Sequence, residues 1–190
     1  MEKDKVELVA IGGSAGSLEA LLEILPALKP DFPVPLVLVL HRKSTTDTIL
    51  TNLLQSRSSF RVREIEEKEP LRPGTLHIVP PDYHVLIEED RTFSLDDSEK
   101  VNYSRPSIDV VFQSAAKVYQ SGLVCVLLSG ANADGTEGFR QVQELGGTTI
   151  AQSPESAEVG YMPGQAIAAN TAGKIMNNKE IIAYLNAITR

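Results

Sequence analysis

The chain has 190 residues, 42% of them hydrophobic and 23% charged, which suits one soluble domain, residues 1–190, able to bury a substantial core. Its 18 Lys+Arg against 25 Asp+Glu leave a formal net charge of −7, so it has no general electrostatic attraction to phosphate backbones or anionic membranes, and no nucleic-acid partner is expected. The opening Met1-Glu2-Lys3-Asp4-Lys5 lacks the apolar core of a signal peptide and no run reaches membrane-spanning length, so no membrane insertion and a cytoplasmic location are expected.

Apolar runs of strand length alternate with helical spacing. Val6 to Ile11 reads as a strand ending at Gly12-Gly13, and from Ser17 onward Leu18, Leu21, Leu22 and Leu25 recur at helical intervals until Pro26 and Pro30. Val34 to Leu40 is a second strand, with His41 directly after it. The basic groups Arg42/Lys43 and Arg57/Arg61/Arg63 follow and could form local patches. In the middle, Thr75 to Val79, His84 to Glu88 and Thr92 to Leu95 are short strand-like runs separated by Pro80-Pro81-Asp82 and Glu89-Asp90-Arg91, a pattern that predicts an antiparallel hairpin or meander. Ser107 to Gln120 returns to helical spacing, with Ser107 placed to cap it.

Leu123 to Leu128 is the next buried strand, and Cys125, the only cysteine, reads as a core thiol within it. After the loop from Ser129 to Gly135, a helix should begin near Thr136 and stop at Gly146-Gly147. Thr148 to Ala151 makes another short strand, and Asn178 to Ile188 a last amphipathic helix. The fold class expected is α/β: a mostly parallel sheet with helices on both faces and a small antiparallel hairpin or meander.

Residues just beyond the carboxyl ends of parallel strands share one crevice. Three reactive side chains stand there: Ser14, His41 and Asp134. Gly12-Gly13-Ser14-Ala15-Gly16 fits a G-x-S-x-G turn that lifts a serine hydroxyl beside the free N–H groups of a helix start. The same turn also suits a phosphate cradle, although G-x-G-x-x-G spacing is missing, or a plain tight turn. His41 is a candidate general base, and Asp134 either caps the helix after it or accepts the second ring N–H of His41. His77 and His84 lie in the antiparallel section and read as structural. Three scattered histidines and one cysteine give no metal-binding signature, so no metal or cofactor is expected.

These residues sit within a longer resemblance. Ile11 to Ser17, Leu40-His41, Leu71-Arg72-Pro73-Gly74, Ile78 to Asp82, Arg105-Pro106-Ser107-Ile108-Asp109, Leu127 to Gly130, Asp134-Gly135 and Gly160-Tyr161-Met162-Pro163 occur in the order found in the catalytic domain of chemotaxis protein-glutamate methylesterases, which the chain resembles over nearly its whole length. The resemblance implies that Ser14, His41 and Asp134 are nucleophile, base and orienting acid. It implies hydrolysis of glutamate γ-methyl esters on the cytoplasmic helices of a chemoreceptor-like protein, releasing methanol, with deamidation of receptor glutamines by the same acyl-transfer logic. Ala15, through its N–H, together with Arg105, Ala131 and Met162, would line or border the substrate groove. Two departures stand out: Ser14-Ala15-Gly16-Ser17 replaces the common Ser-Thr-Gly-Gly, and Gly130-Ala131-Asn132 replaces the common Gly-Met-Gly. A receiver domain of about a hundred residues has no room before the first strand, so a site open to solvent and basal activity independent of phosphoryl donors are expected, unless a separate regulatory protein supplies the control. A receptor-binding module without turnover and an esterase for another substrate are the alternatives.

Overall fold

The computed structural model describes residues 5–42 and 48–188. Among them, seven strands form one wholly parallel sheet, in the order β3-β4-β2-β1-β7-β8-β9. The strands are β1 (Leu8–Gly13), β2 (Leu36–Leu40), β3 (Arg61–Glu64), β4 (Thr75–Ile78), β7 (Leu123–Leu127), β8 (Thr148–Gln152) and β9 (Lys174–Met176). The helices are α1 (Ser17–Ala27), α2 (Ile49–Arg57), α3 (Ile108–Tyr119), α4 (Thr136–Glu144), α5 (Tyr161–Ala168) and α6 (Asn178–Ile188). A separate antiparallel pair, β5 (His84–Ile87) and β6 (Phe93–Asp96), completes the fold.

The central strands are apolar throughout because both faces of the sheet are covered. Val9 and Ile11, Leu36 and Leu38, and Val124 and Val126 face a core closed by Leu21, Ile24 and Leu25 of α1, Leu54 of α2, and Ile181 and Leu185 of α6. Their alternates Leu8 and Ala10, Val37 and Val39, and Leu123 and Cys125 face the other core, with Val111, Phe112 and Ala115 of α3, Phe139 of α4 and Met162 of α5. Cys125 is fully buried, and burial pushes its thiol well above the ordinary range, as suits a core residue.

Two expectations need revision. Thr75 to Val79 does not join the antiparallel section; β4 pairs in parallel with both β2 and β3, and all four of its residues are buried. Only β5 and β6 form the hairpin. Pro26, expected to stop the first helix, lies inside its last turn, one residue before the end. Of the residues named for basic patches, Arg42 pairs with Glu64 at 3.0 Å and Arg63 with Glu69 at 3.2 Å, while Arg57 and Arg61 are exposed. Lys43 lies outside the described residues.

Candidate active site

β1 lies between β2 and β7, with Gly13 in register with Leu40 and Gly12 with Leu127. The turns leaving these three adjacent strands therefore meet at the carboxyl end of the sheet, and they carry Ser14, His41 and Asp134. His41 Nε2 stands 2.6 Å from Asp134 Oδ2, across 93 residues of chain. Asp134 is fully buried, while the His41 side chain keeps 12% of its surface in solvent. Ser14 and His41 line one cleft of about 410 Å³ with Leu18, Leu40, Leu50 and Leu53. Ser14 Oγ makes no hydrogen bond to His41 or to any other of the described residues.

The serine turn is pinned from below. Ser14 N–H donates to Ser129 O at 2.8 Å, and Ser129 Oγ donates to Ala15 O at 2.6 Å. Ser17 closes the turn by giving both its N–H and its hydroxyl to Ser14 O. Gly16 takes a φ of +78°, and a Cβ there would lie 2.7 Å from Glu158 Cβ and 2.9 Å from Ser129 Oγ, so only glycine fits. Among the described residues the N–H groups of exposed Ala15 and of Gly16 have no acceptor. They stand at the positive end of α1, where a developing oxyanion would find donors.

Asp134 does not cap the helix that follows it. Its Oδ2 accepts from Ile108 N–H at 2.6 Å and its Oδ1 from Asp109 N–H at 3.0 Å, so it caps the start of α3. Oδ1 also accepts from the Ser107 hydroxyl and the Asn102 amide, both at 3.0 Å, and from Gly135 N–H at 3.1 Å. Ser107 occupies the expected cap position of α3, but its hydroxyl goes to Asp134 rather than to its own helix. The favour is returned: Asp109 Oδ1, in the first turn of α3, accepts from Gly135 and Gly138 N–H at 2.9 and 2.7 Å and so caps α4. Asn102 bridges the two carboxylates, reaching Asp109 Oδ2 at 2.7 Å.

The two acids respond in opposite directions. Burial alone would raise Asp134, but the His41 bond and the Ile108 and Asp109 N–H groups outweigh it and hold the carboxyl below its usual value. Asp109 is pushed up to about 6, first by burial and then by the charge of Asp134, against its donors Gly138, Asn102 and Gly135. Asp134 is thus kept as an anion facing His41. Asn102 and Asp109 were missed as site residues from the residue pattern, although Asp109 lies in a shared motif; an acid in a first helical turn two residues after Ser107 was the available signal.

Of the other expected residues, Arg105 lines a second cleft of about 460 Å³ that also borders His41, with Arg42, Asp82, Lys100 and Tyr103. Its Nη1 donates to Asp97 O and Ser98 O at 3.0 and 2.9 Å rather than to an acid. Met162 is wholly buried, and its N–H donates to Gly130 O at 2.9 Å. Its thioether fills the space against Gly130, where an added Cβ would lie 2.5 Å from Met162 Cε and 3.0 Å from Ser14 Cβ. Ala131 is exposed on the loop between β7 and Asp134.

His77 and His84 are core histidines. Burial lowers His77 to about 4, and its Nε2 accepts from Arg72 N–H at 3.1 Å. His84 accepts from Ser107 N–H through Nδ1 and reaches Glu99 O at 2.8 Å through Nε2. Among the described residues no group of three or more His, Cys, Asp or Glu could hold a metal ion, and no helix is long and apolar enough to cross a membrane.

The arrangement has close counterparts. The chain matches the family model described as CheB methylesterase over residues 9–185. A protein of Leptospira interrogans is 41% identical over 175 residues, covering 92% of this chain and 91% of its own length. The protein-glutamate methylesterase/protein-glutamine glutaminase of Thermotoga maritima is 37% identical over 164 residues, 85% of this chain but 48% of that protein. The crystal structure of the Thermotoga maritima CheB methylesterase catalytic domain superposes with a TM-score of 0.93 at 34% identity, covering 97% of this chain and 99% of that one. With sheet order, strand-end chemistry and sequence in agreement over nearly all of its length, this chain belongs to the CheB methylesterase family.

Proposed function

We propose that the protein hydrolyses γ-methyl esters of protein glutamates and deamidates glutamines at the same site, acting in the cytoplasm on the methylated helices of a chemoreceptor-like protein. The observation that carries this reading is the 2.6 Å contact between His41 and a buried, ionised Asp134, with Ser14 in the same cleft. Asp134 accepts the Nε2 proton of His41 and so leaves a lone pair on Nδ1. As Ser14 Oγ attacks the ester carbonyl, its proton passes to Nδ1 and the oxyanion takes the free N–H groups of Ala15 and Gly16. The carbon–methoxy bond breaks, methanol leaves with the proton from His41, and water attacks the acyl-Ser14 with His41 again as base. A glutamine would lose ammonia by the same route. Arg105 contacts the flanking receptor chain from the second cleft.

The test is methanol release from a methylated receptor together with fluorophosphonate labelling. Wild-type protein should label at Ser14 alone. Ser14→Ala should release no methanol and take no label while keeping its stability within about 0.5 kcal/mol, since the hydroxyl has no partner to lose among the described residues. Full methanol release by Ser14→Ala would end the assignment.

A further inference from the structure

The Asn132 side chain touches both members of the His41–Asp134 pair. Its Oδ1 accepts from Asp134 N–H at 3.0 Å, and its Nδ2 lies 3.4 Å from His41 Nδ1. A backbone N–H can only donate, so the amide atom facing it must be the oxygen, and the atom facing His41 must be the NH2 group. An NH2 group can only donate, so His41 Nδ1 must be an acceptor. This agrees with Asp134 Oδ2 at Nε2, and it means that the lone pair needed by Ser14 is already in use. At 3.4 Å the bond is long, and it is weaker than the 2.6 Å bond on the other side of the ring.

We propose that Asn132 is a positioning residue for His41: in the resting enzyme its amide holds the Nδ1 lone pair, and it must give way before Ser14 can engage the base. The inference rests on the triad reading. It accords with the absence of a bond between Ser14 Oγ and His41 among the described residues, although both line one cleft. The loop makes the exchange easy, because Asn132 is partly exposed and lies between the exposed residues Ala131 and Ala133.

Two variants separate this role from simple loop anchoring. Asn132→Gly removes the competing donor, so the rate of Ser14 acylation by a fluorophosphonate should rise about two- to tenfold, the worth of one ordinary hydrogen bond. Asn132→Asp keeps the size and the acceptor for Asp134 N–H but turns a carboxylate toward Nδ1. That favours a doubly protonated ring with no lone pair, and acylation at neutral pH should fall at least about tenfold, recovering as pH rises. Both should melt within a few degrees of wild type. An Asn132→Asp rate and pH profile equal to wild type, or a slower Asn132→Gly of unchanged melting temperature, would overturn the proposal. Nitrogen NMR of labelled histidine gives a reading that needs no turnover: Nδ1 of His41 should appear unprotonated in the wild type, and its signal should shift in Asn132→Gly as the amide donor is lost; a proton on Nδ1, or a signal that does not move, also overturns it. A wild type that fails to label at Ser14 strikes the nucleophile assignment instead, and the comparison of the two spectra still decides the role of Asn132.

Discussion

Replacing Asp134 by asparagine tests the buried acid with least change of shape. The carboxamide has one acceptor and one donor end, and the structure dictates which goes where. Oδ1 meets four donors, from Asn102, Ser107, Asp109 and Gly135, so the carbonyl oxygen must take that side. The NH2 then faces Ile108 N–H and His41 Nε2, each formerly 2.6 Å from Oδ2. Against Ile108 it sets donor to donor, leaving a buried N–H unsatisfied at about 1–3 kcal/mol. A cost near 2 kcal/mol lowers the melting temperature by roughly 4–8 °C in a domain of this size. Against His41 the NH2 donates to Nε2, which moves the ring proton to Nδ1 and removes the acceptor for Ser14. The loss in acylation rate should reach up to about four orders of magnitude, the figure known for the equivalent change in a serine protease. The assay is burst acylation of Ser14 in parallel with thermal melting. Activity within tenfold of wild type would refute the tautomer argument, and an unchanged melting temperature would refute the capping argument.

Asp109, raised to about 6 from 3.8, binds its proton more tightly in the folded state, so its contribution to stability falls as pH rises from about 4 to 6. Asp109→Asn should therefore gain on wild type over that interval, by up to about 3 kcal/mol, and a difference that stays flat in denaturant titrations at pH 4 and pH 7 would contradict this. Gly130→Ala pushes a Cβ against the flexible Met162 thioether and the Ser14 Cβ, so activity should drop at least about tenfold for a stability loss of roughly 1–3 kcal/mol; equal activity at reduced stability would show that Ser14 is not displaced. Arg105→Ala should raise KM for a methylated receptor severalfold with little change in kcat, and a change in melting temperature with unaltered kinetics would confine Arg105 to holding the carbonyls of Asp97 and Ser98.

The parallel core was legible because β1, β2 and β7 are buried on both faces and so read as unbroken apolar runs ending at reactive residues. The outer elements were not. β3 is Arg-Val-Arg-Glu with only Val62 buried, β9 is a three-residue edge strand with no buried residue, and α2 buries only Leu54. Such segments take their structure from neighbours rather than from a periodic pattern. The strand ends indicated Ser14, His41 and Asp134, which the structure brings to the carboxyl end of the sheet. The pairing of Asp134 with α3 instead of α4 was invisible, because it depends on two helix starts packing side by side. Asn102, at a left-handed φ of 52°, reaches both acids from a loop with no local periodicity to mark it.

The reciprocal capping of α3 and α4 ties the chemistry to the order in which such a molecule can change. Asp109 and Asp134 each hold the other's helix, so a substitution at either position alters the setting of both. A change at either position is felt by both helix starts, so its effect on the chemistry and its effect on stability come together. Retuning of this enzyme, whether by selection or in the laboratory, is thereby steered to the open rim around the exposed Ala15 and Ala131, where side chains can be exchanged without disturbing the joint beneath.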